Sequence, residues 1–163
     1  MVALLICLSR AGLLLLGALY LSPPAVPPVA VSVRIVSGPW GGREYSIAHG
    51  TLTVFNIPAI QATSRTPQRV FSTPLPADAA NRRFNALDPN AYQGLPNEML
   101  DGGSMLMVTL QQGGSRADVR YQHGQYNHLD PITAFLLAYI NQHVPAKLAI
   151  DADWLKPVAR ASR

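Results

Sequence analysis

Between Ser104 and Tyr121 apolar and polar side chains alternate with a period of two. Leu106, Val108 and Leu110 fall on one face, and Met105, Met107, Thr109 and Gln111 on the other, as the side chains of a strand must. Gln112-Gly113-Gly114-Ser115 interrupts the alternation with two glycines, which enter the left-handed region at no steric cost. The pattern then resumes, with Ala117, Val119 and Tyr121 opposing Arg116, Asp118 and Arg120. Two such runs across a short glycine loop predict a hairpin with one buried and one wetter face.

Further on, the period changes to that of a helix. Ile132, Phe135, Leu136, Tyr139, Ile140 and Val144 recur at i, i+3, i+4, i+7, i+8 and i+12. Asp130 is a suitable N-cap, Pro131 suits the first helical position, and Pro145 ends the run. His143 falls in the last turn, where the helix dipole favours positive charge. Burying each large aliphatic or aromatic side chain is worth roughly 1.5–3 kcal/mol. The helix is therefore expected to lie on the apolar face of the hairpin.

The earlier part of the chain repeats these patterns more weakly. Val31 to Ser37 predicts a strand with Val31, Val33 and Ile35 on one face. Arg43–Ala48 and Thr51–Ile57 predict a second hairpin around His49-Gly50, with Leu52, Val54 and Asn56 sharing a face. A short strand is expected at Gln68–Thr73. Pro76–Leu87 predicts a shorter helix with Ala77, Ala80, Phe84 and Leu87 as its stripe. Asp88–Gly103, rich in glycine and proline, reads as a long loop. After the last helix, Lys147–Ile150 suggests a short edge strand, and Asp151–Leu155 a helical turn returning Trp154 to the domain. The order ββ(β)(β)αββα predicts an α+β fold, a mainly antiparallel sheet with two helices on one face.

Residues 1–21 are almost wholly apolar, with Arg10 the one charge. A membrane span would place Arg10 near its middle, at a cost of about 2.5–3.5 kcal/mol. Ala11–Leu21 instead fits the apolar core of an export signal. The expectation is a periplasmic or secreted protein, with an inner membrane anchor through an uncleaved helix as the alternative. Either way, membrane contact is confined to residues 1–21. Residues 22–30 carry Pro23-Pro24 and Pro27-Pro28 and read as a stiff linker, leaving 31–163 as a single domain. The one cysteine, Cys7, lies in the export segment, so the domain has no disulfide or thiolate chemistry. The net charge of +4 comes with dispersed arginines, and no nucleic-acid partner is expected.

Few residues point to chemistry. His49, His123 and His128 supply zinc-type ligands, with Asp130 beside the last two, but not at the spacing that puts two imidazoles on one helix face. Asp151 and Asp153 form an i, i+2 carboxylate pair. Ser46, His49 and Asp118 contain the residue types of a nucleophilic triad without a Gly-x-Ser-x-Gly elbow, and neither phosphate-loop nor dinucleotide glycine pattern occurs. Trp40, in Gly38–Gly42, and Arg43 after it are candidate anchors for a partner, since Trp and Arg dominate interface hot spots. Met105 and Met107 form a candidate soft surface. No cofactor is implied. The reading is a non-enzymatic exported binding module, of inhibitor, immunity or envelope-assembly type, whose partner is another envelope or extracellular protein. The alternatives are a small exported hydrolase or metal-binding protein using the histidines, and a membrane-anchored structural domain.

Overall fold

The computed structural model describes residues 27–92, 103–122 and 129–155. Six strands, β1 (Ala30–Ser37), β2 (Gly42–Ala48), β3 (Thr51–Ile57), β4 (Gln68–Pro74), β5 (Ser104–Gln112) and β6 (Ser115–Gln122), form one sheet in the order β4-β3-β2-β1-β5-β6. Every neighbouring pair is antiparallel. Two helices, α1 (Ala79–Asn85) and α2 (Pro131–His143), complete an α+β architecture.

The first four strands form a meander. The chain then passes through α1 to the other side of β1, where β5 aligns Val33 with Val108 and Ile35 with Leu106. One face of the sheet is apolar on five adjoining strands: Val31 and Val33, Tyr45 and Ile47, Leu52 and Val54, Leu106, Val108 and Leu110, and Val119 and Tyr121 are all buried. Leu136, Leu137, Ile140 and Tyr139 of α2 and Phe84 of α1 belong to the same core.

The apolar stripe of α2 is wide because the helix has two neighbours. Thr133, Leu136, Leu137 and Ile140 are completely buried. Tyr139 meets α1, its ring stacked on Phe84 at 5.7 Å between centroids. The Arg83 guanidinium lies 4.3 Å over the ring of Phe135. Ile132, Phe135 and Val144 are partly buried at the margin. Asp130 caps the helix as expected, accepting from the amides of Ile132 and Thr133 at 2.9 and 3.1 Å.

Two expectations are corrected. The first helix starts three residues later than its composition suggests, because the Asp78 carboxylate accepts from the Asn81 amide at 2.8 Å and fixes the first turn there, leaving Ala77 exposed. Lys147–Ile150 is not a strand: Ala146–Leu148 is a short 3-10 turn. The carbonyls of this segment accept from side chains, Tyr45 to Leu148 and Asn141 to Ile150, instead of from a strand backbone. A second 3-10 turn, Ala152–Leu155, brings Trp154 into the core as anticipated. Among the described residues no helix is long and apolar enough to cross a membrane; residues 1–21 lie outside them.

Candidate binding groove

The inner face of the sheet changes character at one end. Ile35, Arg43 and Asn56 are cross-strand neighbours on β1, β2 and β3. They extend the face that holds Val33, Tyr45 and Val54, so an arginine and an asparagine take positions where the pattern would place apolar groups. Ile35 still packs on the margin of the core, which stops short of Arg43 and Asn56. The segment after α2 crosses this sheet end and leaves a groove of about 530 Å³ between itself and the strands, with Trp40, Arg43, Asn56, Ile150, Asp151 and Trp154 among its walls.

The far wall is pinned in three places. The Tyr45 hydroxyl donates to the Leu148 carbonyl at 2.8 Å. Arg43 Nη1 donates to the Lys147 carbonyl at 3.4 Å, a long contact. Asn141 makes a reciprocal pair with Ile150, donating to its carbonyl at 3.1 Å and accepting from its amide at 2.7 Å. Asp151 then accepts from the Asp153 amide at 2.9 Å and turns the chain so that Trp154 is buried. Burial pushes the Tyr45 phenol above its ordinary pKa, partly opposed by a hydrogen bond and the charge of Arg43.

The near lip carries Trp40. Its turn is closed by the Ser37 amide donating to the Gly41 carbonyl at 2.9 Å, and is tied to the next loop by the Ile60 amide donating to Pro39 at 2.9 Å. Gly41 has φ +84°, and a Cβ there would lie 2.4 Å from the Ile57 carbonyl oxygen. Only glycine allows this approach. The result is an indole 78% exposed, with Ile60, 66% exposed, on the adjoining loop. Solvent exposure of that size is unusual for a Trp at a strand end, where packing into the core is the common outcome.

The four candidate binding residues therefore divide between two places. Trp40 and Arg43 share the groove. Met105 and Met107, half-buried, lie on the opposite face of the sheet, where Met107 is flanked by Arg34 on β1 and Arg120 on β6. The first strands lie beside the methionines and not over them.

His49 occupies the β2–β3 turn with φ 49°, followed by Gly50 at φ 70°. This turn is at the sheet end opposite Gln122, whose row holds Met105, Val36 and Gly42. His123 and His128 lie outside the described residues. Among the described residues no three His, Cys, Asp or Glu side chains gather as a metal site. Both oxygens of Asp130 are already engaged, Oδ1 by the cap amides and Oδ2 by the hydroxyl of Tyr121. Ser46 and Asp118 stand three strands apart in the sheet order, about 14 Å at the usual strand spacing, too far for a catalytic relay. Asp151 and Asp153 are exposed, and the Asp153 amide donates to Asp151 Oδ1 in the turn that joins them.

The sequence pointed to Trp40 and Arg43 by residue type. It placed Asn56 only on a shared face with Leu52 and Val54, and gave no sign that Asp151 and Trp154 would form the opposite wall. No protein-family model, curated protein or solved structure matches the chain.

Proposed function

We propose that the protein is an exported, non-enzymatic binding module of the cell envelope that holds a protein partner in the sheet-end groove. The observation that carries this reading is Trp40, an indole held out in solvent by a glycine turn beside a half-buried arginine. The partner chemistry follows from the walls. An apolar side chain of the partner lies on Trp40 and Ile60, and a carboxylate reaches the Arg43 guanidinium, whose one backbone contact is long. The apolar stretch of residues 1–21 supplies the route to the envelope.

Site-specific photo-crosslinking from position 60 in intact cells tests the reading. It should capture one envelope protein, and the adduct should disappear in Arg43→Glu and in Trp40→Ala while surviving Arg69→Gln. An adduct pattern unchanged by the two groove substitutions, or the same cytoplasmic proteins in every variant, would sink it.

A further inference from the structure

We propose that the open face of the sheet carries a second site, for a phosphoryl group, in the depression bounded by Arg34, Arg116 and Arg120. This depression, about 440 Å³, lies over β1, β5 and β6, on the side of the sheet away from the helices. Met107 and Thr109 are part of its lining, together with three arginines and one aspartate.

The charges in it are unequally matched. Arg34 is bound to Glu44 of β2, Nη2 to Oε2 at 2.7 Å. Arg116 is bound to Asp118, Nε to Oδ2 at 2.9 Å and Nη2 to Oδ1 at 3.1 Å. Thr109 donates to the same carboxylate at 2.5 Å. Asp118 is hydrogen-bonded to Arg116 and Thr109, and Arg116 first, then Thr109 and the charges of Arg116 and Arg120, hold its carboxyl below the ordinary range against the effect of burial. Arg120, two residues along the same face of β6, makes no hydrogen bond or ion pair among the described residues, although it is half-buried. A guanidinium has five donors and no acceptor. Half-buried, and facing the Asp118 carboxylate through its charge without a hydrogen bond among the described residues, it keeps its donors available to an oxyanion.

The arrangement favours a tetrahedral group over a planar one. Arg34 and Arg120 flank Met107 in one cross-strand row, about 10 Å apart at the Cα atoms by strand spacing. Arg116 approaches along the strand from the far end of the depression. Donors from three directions match the several acceptors of a phosphoryl group better than a carboxylate, which one guanidinium fork satisfies. The phosphate of a lipid headgroup and that of a soluble ester share this chemistry.

Side-chain NMR of the full-length chain in nonionic detergent, following the Arg120 Nε–Hε signal, tests the site. Inorganic phosphate should shift the signal saturably while chloride at equal ionic strength does not. Binding, read in the wild type and in every variant from the backbone amide of Met107, which lies between Arg34 and Arg120, should weaken at least tenfold in Arg120→Gln, less in Arg120→Lys, and stay unchanged in Arg69→Gln. Repeating the titration in bilayer discs with and without phosphatidylglycerol separates the sources. Tighter engagement on the anionic discs assigns the headgroup, and phosphate binding indifferent to them assigns a soluble ester. A shift reproduced by chloride, or phosphate binding at the Met107 amide retained in folded Arg120→Gln, overturns the proposal, and does so without bearing on the groove at Arg43.

Discussion

Tyr45 donates its phenolic hydrogen to the backbone carbonyl of Leu148 at 2.8 Å, joining the centre of the sheet to the segment that follows α2. Both residues are buried, so neither group has water as a substitute. Tyr45→Phe leaves the ring in place and the carbonyl without that donor, at a cost of about 1–3 kcal/mol. Denaturant titration should show a lower midpoint with an unchanged slope. Hydrogen exchange should quicken at residues 148–154 before it does in the strands, because this bond holds the far wall of the groove.

The two tryptophans should respond oppositely to truncation. Trp154 is 9% exposed and Trp40 is 78% exposed. Trp154→Ala removes a core aromatic, and about 3–5 kcal/mol is expected to go with it. Trp40→Ala should change stability by no more than about 0.5 kcal/mol. Because the chain has only these two tryptophans, Trp40→Phe leaves a single indole, which excitation at the red edge of its absorption selects over the tyrosines. Its emission should be that of a buried indole, blue-shifted from the wild-type spectrum. Emission from a solvated indole in that variant would contradict the packing of the C-terminal turn.

Alkaline pH should unfold the protein through its buried phenols. Burial raises the pKa of Tyr45, Tyr121 and Tyr139, and the neighbouring Asp130 carboxylate pushes Tyr121 further. The Tyr139 hydroxyl is buried with no hydrogen-bond partner among the described residues. In the unfolded chain these groups ionise near pH 10. Below that pH both states hold the protons and the stabilisation is complete. Above it the unfolded state binds fewer protons than the native state, and stability falls with rising pH. Phenolate absorbance should therefore lag behind that of free tyrosine and then rise together with loss of the folded state. Asp118 works in the opposite sense: its lowered pKa contributes stability that is lost as pH falls through the native value, and its exposure keeps the effect small.

His49 is a left-handed residue in a two-residue hairpin turn, φ 49° before Gly50 at φ 70°. Such a turn prefers Asn-Gly, since asparagine tolerates positive φ better than most side chains. His49→Asn should hold or raise the melting temperature, and His49→Val should lower it. If His49 were instead a metal ligand, zinc would raise the melting temperature of the wild type and not of His49→Asn. Melting curves with and without zinc decide between the two roles.

What could be read beforehand follows the range of the forces involved. The strands, the turn at His49-Gly50 and the cap at Asp130 depend on neighbours a few residues away, and the pattern of the chain carried them. Thr133 and Leu137 fell outside the expected stripe of α2 because a helix with two neighbours buries more than one line of positions. The displacement of α1 came from a single side-chain bond at Asp78, which outweighed the helical composition before it. The groove needed a contact between β2 and residues about a hundred positions later, which no local pattern encodes. That Arg120 has no hydrogen-bonded partner among the described residues is similar. Whether an arginine has a partner depends on which strand lies beside it and in what register, and Arg34 finds Glu44 only because β1 pairs with β2.

The most strongly coupled pair should be Tyr121 and Asp130. Asp130 Oδ1 receives the amides of Ile132 and Thr133, while Oδ2 receives the Tyr121 hydroxyl, which also lies 3.3 Å from Thr133 Oγ1. One carboxylate thus starts α2 and ties it to β6. Asp130→Ala removes the cap, worth about 1 kcal/mol, and a charged hydrogen bond of about 1.5–3 kcal/mol. Asp130→Asn keeps one oxygen for the cap amides and presents its NH₂ to the phenol, so its loss should be smaller. Tyr121→Phe removes the same bond from the other end. The losses in Asp130→Ala and Tyr121→Phe should therefore be less than additive in the double variant, by about 0.5–3 kcal/mol. Strict additivity in a denaturant-based cycle would mean that the helix start and the strand are held independently, and that the hydroxyl contributes nothing to docking α2 on the sheet.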